Sequence, residues 1–385
     1  MQWLHMKQTS SIISIYSADV FGVCSALFEL GGMTVMHDAS GCNSTYTTHD
    51  EPRWYDMDSM VYISGLSEME AILGDDEKLI GDIAAAAADL KPEFIAVAGT
   101  PIPTMTGFDF EAVAAMIEQR TEIPAFGFPT TGMNTYVPGA SMALEAIARR
   151  FADREIARTK ELSANILGLT PLDFSVNGTD ASVASFLEHA GYRVISRWAM
   201  GSTLEELQKA GSAHVNLVVS STGLGTAKAL RELFGTPYVV GVPIGTKFAK
   251  KVREALETAV NTGENQFPES NLPGGDITII GEAVTARSLA FAIELETGKG
   301  VRVVCPTEYI EGLLRKKDRL AQYEEEIAAE LADARLVIAD PLFRPICPEG
   351  VRFCELPVEA FSGRIYRARI PNLTADFEKW ISEVL

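Results

Sequence analysis

No stretch of this chain approaches the roughly 18 to 20 apolar residues that a membrane-spanning helix needs, and Met1–Ser10 is too polar to read as a secretory leader. The familiar chemical signatures are missing as well. There is no CxxC, no HExxH and no pair of histidines at helical spacing, and the five histidines are His5, His37, His49, His189 and His214. No GxGxxG follows a predicted strand and no GxxxxGK[ST] occurs, which argues against a dinucleotide and against ATP hydrolysis by the chain itself. A GxSxG elbow is absent too, so a serine hydrolase is disfavoured. Basic residues are in short supply, 33 Lys and Arg against 52 Asp and Glu, and the formal charge of -19 repels phosphate backbones. Nucleic acid is therefore not an expected partner. Five cysteines, an odd number scattered over the whole length, do not make a secreted disulfide framework and fit a reducing cytoplasm.

What the chain does contain is alternation. At 385 residues it exceeds one ordinary core. Short apolar runs of strand length alternate with helical patterns almost throughout, the signature of an α/β protein with parallel sheets flanked by helices. The first strand is expected over Ser11–Tyr16, followed by a helix capped by Ser17 or Asp19 that carries Cys24 and ends at Gly31-Gly32. Met33–Met36 is the next strand. Gly99–Thr104 reads as a loop, Arg319–Ala332 as a helix, and a terminal helix starts at the candidate cap Thr374. The Gly-, Asn- and Pro-rich stretch Asn261–Gly275 is the clearest linker. These patterns predict three Rossmann-like domains over residues 1–160, 161–270 and 271–385. The ligand is expected where loops leave the C-terminal ends of the strands.

The stretch Thr34–Asn43 is the most informative, because an apolar strand there hands His37, Asp38 and Cys42 to a polar loop. Such a turn presents a thiolate to a metal or a facing subunit, although free cysteine is also among the most buried residue types. Cys24 and Cys42 are the two cysteines placed near one sheet edge. Two thiolates do not complete a four-ligand [4Fe-4S] site, but a two-fold dimer supplies two from each protomer. His37 and Asp38 are candidates for local proton delivery. His189 reads as an ordinary helix residue, Cys305 as an inert core residue, and Cys347 and Cys354 as neither paired nor metal-bound. Ser220, Ser221 and Gly223 either cradle an anion at a helix start or are plain turn chemistry. Thr131 and Gly132, in the Thr130–Met133 loop, line the same prospective cleft, as does Thr170–Phe174.

The segment from Val35 through Cys42, then Glu51-Pro52, Ser64–Leu79, Lys91–Val97, Arg197–Ala199, Gly201–Leu207 and Phe234–Pro237, resembles nitrogenase component 1 proteins over most of the chain. That resemblance implies three Rossmann-like domains around a redox cleft. It also implies an iron-sulfur cluster bridging two subunits and electrons from a separate ATP-dependent iron-sulfur reductase. Cys42 matches the cysteine of the family's His-Gly-x-x-Gly-Cys loop and His37 its histidine. The family's other bridging cysteines fall on Ser17 and near Pro101, its cofactor cysteine falls at about Ser220, and no histidine follows His214. Nitrogen fixation is therefore not expected. The function implied is a homodimeric or heterodimeric oxidoreductase acting on an unidentified small-molecule or tetrapyrrole-like substrate. The alternative is a non-catalytic carrier or scaffold that binds a metallocofactor or small ligand in the same cleft.

Overall fold

Four-residue runs such as Met33-Thr-Val-Met and Ile95-Ala-Val-Ala are buried at every position, which only a strand covered on both faces allows. The computed structural model describes residues 11–13, 16–39, 41, 43, 51–270, 272–309 and 312–385. Its first unit contains α1 (Asp19–Leu27), β1 (Met33–Met36), β2 (Met60–Ile63), α2 (Glu68–Leu73), α3 (Asp76–Leu90) and β3 (Ile95–Ala98). It continues with α4 (Pro101–Thr106), α5 (Phe110–Thr121), β4 (Ala125–Phe128) and α6 (Tyr136–Phe151). The second unit runs β5 (Ser163–Leu167), α7 (Pro171–Phe174), α8 (Thr179–His189), β6 (Arg193–Trp198), α9 (Leu204–Gln208) and β7 (Val215–Val218), then α10 (Leu224–Phe234), β8 (Tyr238–Val240) and α11 (Thr246–Thr262). The third holds β9 (Ile277–Ile280), α12 (Ala283–Thr297), β10 (Val301–Cys305), β11 (Arg319–Leu320), α13 (Glu324–Glu330) and β12 (Leu336–Ala339). It ends with β13 (Arg352–Glu355), α14 (Glu359–Ser362) and α15 (Leu373–Val384).

Three parallel sheets result, with strand orders β2-β1-β3-β4, β6-β5-β7-β8 and β11-β10-β9-β12-β13. Each order reverses at its first strand. This places a crevice at the C-terminal ends of β1 and β3, of β5 and β7, and of β9 and β12, where open α/β sheets bind ligands. The expected three-sheet α/β architecture is the one observed. Among the described residues, no helix is long and apolar enough to cross a membrane.

Several local expectations give way to tertiary demands. Of the strand expected over Ser11–Tyr16, Ser11–Ile13 instead turns its three backbone N–H groups onto the Glu324 carboxylate at 2.9–3.0 Å, which removes the donors a sheet ladder would use. Tyr16 is likewise in no strand, and residues 14–15 lie outside the described residues. Ala18, without a side-chain cap, precedes α1 in place of Ser17 or Asp19. The loop expected after Gly99 forms α4, because Pro101 at its first turn has φ already set for a helix and Gly107, at φ +78°, ends it. The helix expected from Arg319 starts only at Glu324, since Arg319 and Leu320 pair with Val304 and Cys305. The short β13, only partly buried, adds an edge strand where no apolar run announces one. The α15 cap is Asn372, whose side chain accepts from Ala375 N–H, rather than Thr374.

The helices α1 and α6 lie against each other at two glycines. A Cβ on Gly22 would run into the Tyr136 carbonyl, and one on Gly139 into the Asp19 carbonyl. Neither backbone can retreat, because α1 and α6 are buried in one continuous core with β1 and β3. Gly22→Ala should therefore lower the unfolding free energy by about 1–3 kcal/mol, the usual cost of overpacking, measured as a lower denaturant midpoint.

Candidate functional site

At the first crevice, β1 delivers His37 and Asp38 side by side. The His37 Nδ1 lies 2.9 Å from Ser64 Oγ, and the Asp38 backbone N–H donates to the same hydroxyl at 3.1 Å. Thr100, at the end of β3, donates its hydroxyl to the His37 carbonyl at 2.9 Å and to Asp38 Oδ1 at 3.0 Å. Asn43 donates to Asp38 Oδ2. His37 is 5 % exposed and packs on Phe108 with ring centroids 4.5 Å apart. Burial pushes His37 down to about 4, against the opposing pull of Asp38 and Glu70. At neutral pH it is therefore an uncharged, hydrogen-bonded post holding the turn.

Cys42 lies outside the described residues, as do His5 and His49. Cys24 sits within α1 with no exposed surface, and burial together with the Glu51 charge pushes its thiol far up. Cys24 packs into the apolar core rather than at a surface where a shared cluster could reach it. Ser17, at a position the resemblance gives to a cluster cysteine, donates its N–H to the Ala360 carbonyl at 2.9 Å. Among the described residues no group of three or more His, Cys, Asp or Glu could hold a metal ion, so they supply no cluster site by themselves. Cys305 is fully buried, with burial pushing its thiol up to about 12, and Cys347 and Cys354 are both free.

The Thr130–Met133 loop is held from within the protein. The Asp19 carboxylate accepts from the N–H groups of Thr131 and Gly132 at 3.0 and 2.8 Å and from the Asn134 amide at 3.1 Å. The backbone N–H groups of Thr131 and Gly132, two residues expected to line the cleft, are thus engaged by the protein itself.

Ser220, Ser221 and Gly223 do gather at a buried anion, but the anion is internal. Glu282, at the end of β9 and capping α12, accepts from Ser221 N–H at 3.1 Å and from the Ser221 hydroxyl. It also accepts from Val284 and Thr285 N–H at 3.0 Å each. Gly223 is required because a Cβ would press on the Leu167 and Gly168 backbone at the end of β5. Asp173, on α7, completes the constellation. It accepts from the Tyr136 hydroxyl, from Thr170 Oγ1 at 2.6 Å and from Ser220. Burial, reinforced by the neighbouring Glu282 charge, pushes Asp173 up to about 7 in spite of those hydrogen bonds. Tyr136 is itself pushed well up, first by burial and then by Asp173.

Asp173 and Glu282 also border a largely apolar cavity between the second and third units, walled by Phe174, Val242, Ile279 and Leu289. Its volume of about 80 Å³ leaves room for a few waters or one small molecule. Thr374, where the chain returns over the cavity, has a buried hydroxyl with no partner among the described residues. Sequence reasoning reaches Asp173 only as part of the Thr170–Phe174 cleft loop, and misses its partners Glu282 and Tyr136 because the three belong to three different units. The available signals are local ones: an acid directly after the Ile277–Gly281 run, and Thr170-Pro-Leu-Asp173 as a helix start.

Comparison with known proteins agrees with this architecture. The family model described as "Nitrogenase component 1 type Oxidoreductase" matches residues 20–272. The nitrogenase iron-molybdenum cofactor biosynthesis protein NifE of Rippkaea orientalis is 26% identical over 281 residues, covering 71% of this chain and 57% of that protein. A light-independent protochlorophyllide reductase subunit of Nostoc punctiforme is 26% identical over 201 residues, 49% of this chain and 39% of that one. The chain thus spans about half the length of these curated relatives. A solved structure described as "Nitrogenase Cp1 at pH 6.5" superposes with a TM-score of 0.71 at 17% identity, covering 100% of this chain and 94% of that chain.

The acid pair has a thermodynamic consequence. A carboxyl raised in the folded state contributes stability that is complete below its unfolded value and is lost as pH rises through the folded value. Asp173 should therefore make the protein progressively less stable from about pH 4 to about pH 7, and by a constant amount above that, relative to a neutral side chain. Asp173→Asn should match wild type near pH 4 and exceed it in thermal midpoint at pH 8. A midpoint difference independent of pH would show that Asp173 does not carry the proton.

Proposed function

The chain belongs to the nitrogenase component 1 type oxidoreductase family, and on that premise we propose that it is the substrate-binding component of a nitrogenase-like reductase. The observation that carries this reading is Asp173, a buried carboxyl held by Tyr136 and Thr170 beside Glu282 at the edge of an apolar cavity, where burial and the Glu282 charge push it up. Reduction of a bound substrate consumes protons with electrons, and a donor with a value near the working pH is the most useful. The proton donor in this reading is Asp173 in place of His37, which at about 4 has no proton to give from its ring cation at neutral pH. Tyr136 and Thr170 orient the Asp173 carboxyl. The cavity as it stands takes a small molecule rather than a tetrapyrrole. An ATP-dependent iron-sulfur reductase is the electron source in this reading, and the compartment is the cytoplasm.

An iron-sulfur cluster, when bound, would supply the electron relay. Cys42 is the residue of this chain that would hold it, at a contact with a second subunit. An exposed apolar patch near the first crevice supports such a contact. Met69, Ile72 and Leu73 on α2, Met105 on α4 and Met133 are 62, 69, 70, 87 and 79 % exposed, and α2 packs beside α4. The alternative, a non-catalytic carrier of a metallocofactor or small ligand, is favoured by one observation: Cys24, the second thiol of the first unit, is sealed inside α1 and held protonated.

Two experiments separate these readings. Protein purified and reconstituted without oxygen should bind iron and show visible charge-transfer absorption, losing both in Cys42→Ala and keeping both in Cys24→Ala. A colourless, iron-free wild type that still binds a small ligand selects the carrier. For the subunit contact, Met105→Glu should convert a dimer in sedimentation velocity to a monomer without changing the circular dichroism. An unchanged sedimentation coefficient places the contact elsewhere.

A further inference from the structure

Arg287, on α12, is 6 % exposed, and its Nε is buried without a hydrogen-bond partner. No hydrogen bond or ion pair to a described residue engages any part of its guanidinium. What it touches is an aromatic ring: its Cζ lies 5.1 Å from the centroid of Phe291, one turn further along the helix. Arg315 packs on the same ring at 4.7 Å. The two guanidiniums differ in everything else. Arg315 is paired with Glu294 at 3.0 Å and Asp318 at 2.9 Å, and Lys317 pairs with Glu294 at 2.6 Å.

Those four side chains balance, two cations against two buried carboxylates, and none of them forms a hydrogen bond or ion pair with Arg287. The other nearby carboxylates, Glu269 and Glu282, attract Arg287 across a gap without a hydrogen bond or ion pair to it. Glu282 already accepts from Ser221, Val284 and Thr285, and Glu269 is exposed. Desolvation pushes Arg287 down to about 10, with Asp318, Glu269 and Glu282 pulling the other way and Arg315 adding to the fall. The residue remains charged at neutral pH, and a buried charged group with unmade hydrogen bonds is costly to keep.

We propose that Arg287 is an oxyanion-binding residue, which takes the carboxylate or phosphate group of a small molecule at the edge of its guanidinium that remains exposed. The planar fork of arginine matches both groups in a two-point contact, which lysine cannot reproduce. The anion supplies the hydrogen-bonded partner that the Glu294 and Asp318 network does not.

The test uses the full chain at constant ionic strength, titrated separately with sodium phosphate, sodium succinate and sodium chloride. Thermal midpoint and calorimetric binding are both read. Phosphate or succinate should give a saturable rise in midpoint that chloride does not, and the stronger of the two identifies the group. Apparent affinity should fall at least tenfold in Arg287→Met and in Arg287→Lys, and stay within twofold in Glu269→Gln. If Arg287→Met does not fold, Arg287→Lys decides, since it keeps the charge and removes the fork. The proposal is overturned by no saturable effect in wild type, by equal affinity in the Arg287 variants, or by binding that emerges only in Glu269→Gln. The last result would make Glu269 the partner in solution.

Discussion

The structure turns on the need to satisfy buried carboxylates where three sheets meet. Glu282 is 3 % exposed and is tolerated because four donors converge on it, two from the start of α12 and two from Ser221. Asp173 next to it draws on Tyr136, Thr170 and Ser220. Tyr136 comes from the first unit, Asp173 and the serines from the second, and Glu282 from the third. A buried pair of like charges is expensive unless one of them holds a proton, and here burial and mutual repulsion put that proton on Asp173. The same requirement thus fixes the arrangement of the units and creates a group suited to proton transfer.

A second buried charge fastens the first unit to the second by another route. Arg53 donates to Glu51 at 2.6 Å, to Glu29 at 2.8 Å, and to the carbonyls of Ser25 and Ala199 at 2.7 and 3.2 Å. Glu29 in turn accepts from Gly201 N–H at 2.6 Å. Such a network adds little net stability over an apolar replacement, but its directional bonds admit one relative placement of the backbones. The close approach of α1 and α6 at Gly22 and Gly139 does the same by shape.

The two crevices with chemistry in them are therefore unlike. The first has a neutral His37 and an Asp38 tied into hydrogen bonds, which shapes the turn leading toward Cys42. The junction crevice has a titratable proton beside an apolar space. The division fits a reductase component in which the first end faces a partner subunit and the second receives the substrate.

Much of the architecture is legible in the sequence, because strand and helix periodicity report burial directly and burial on both faces leaves uninterrupted apolar runs such as Phe94–Ala98. The resemblance around His37 and Cys42 is legible for a similar reason: that loop is contiguous in the chain. The Ser220–Gly223 turn reads as either an anion cradle or a tight turn, and in the structure it is a tight turn against a carboxylate of the protein itself. That carboxylate cannot be named from the sequence. Glu282 lies about sixty residues away, and nothing local distinguishes it from any other helix cap. Likewise, Ser11–Tyr16 carries strand propensity but Ser11–Ile13 lose their donors to Glu324, and Cys24 has the position of a ligand until α1 packs with its thiol inward. Local pattern determined which segments would be buried. Only the tertiary structure decided which charges would be buried together, because the energy of a buried charge depends on partners that the chain order does not reveal.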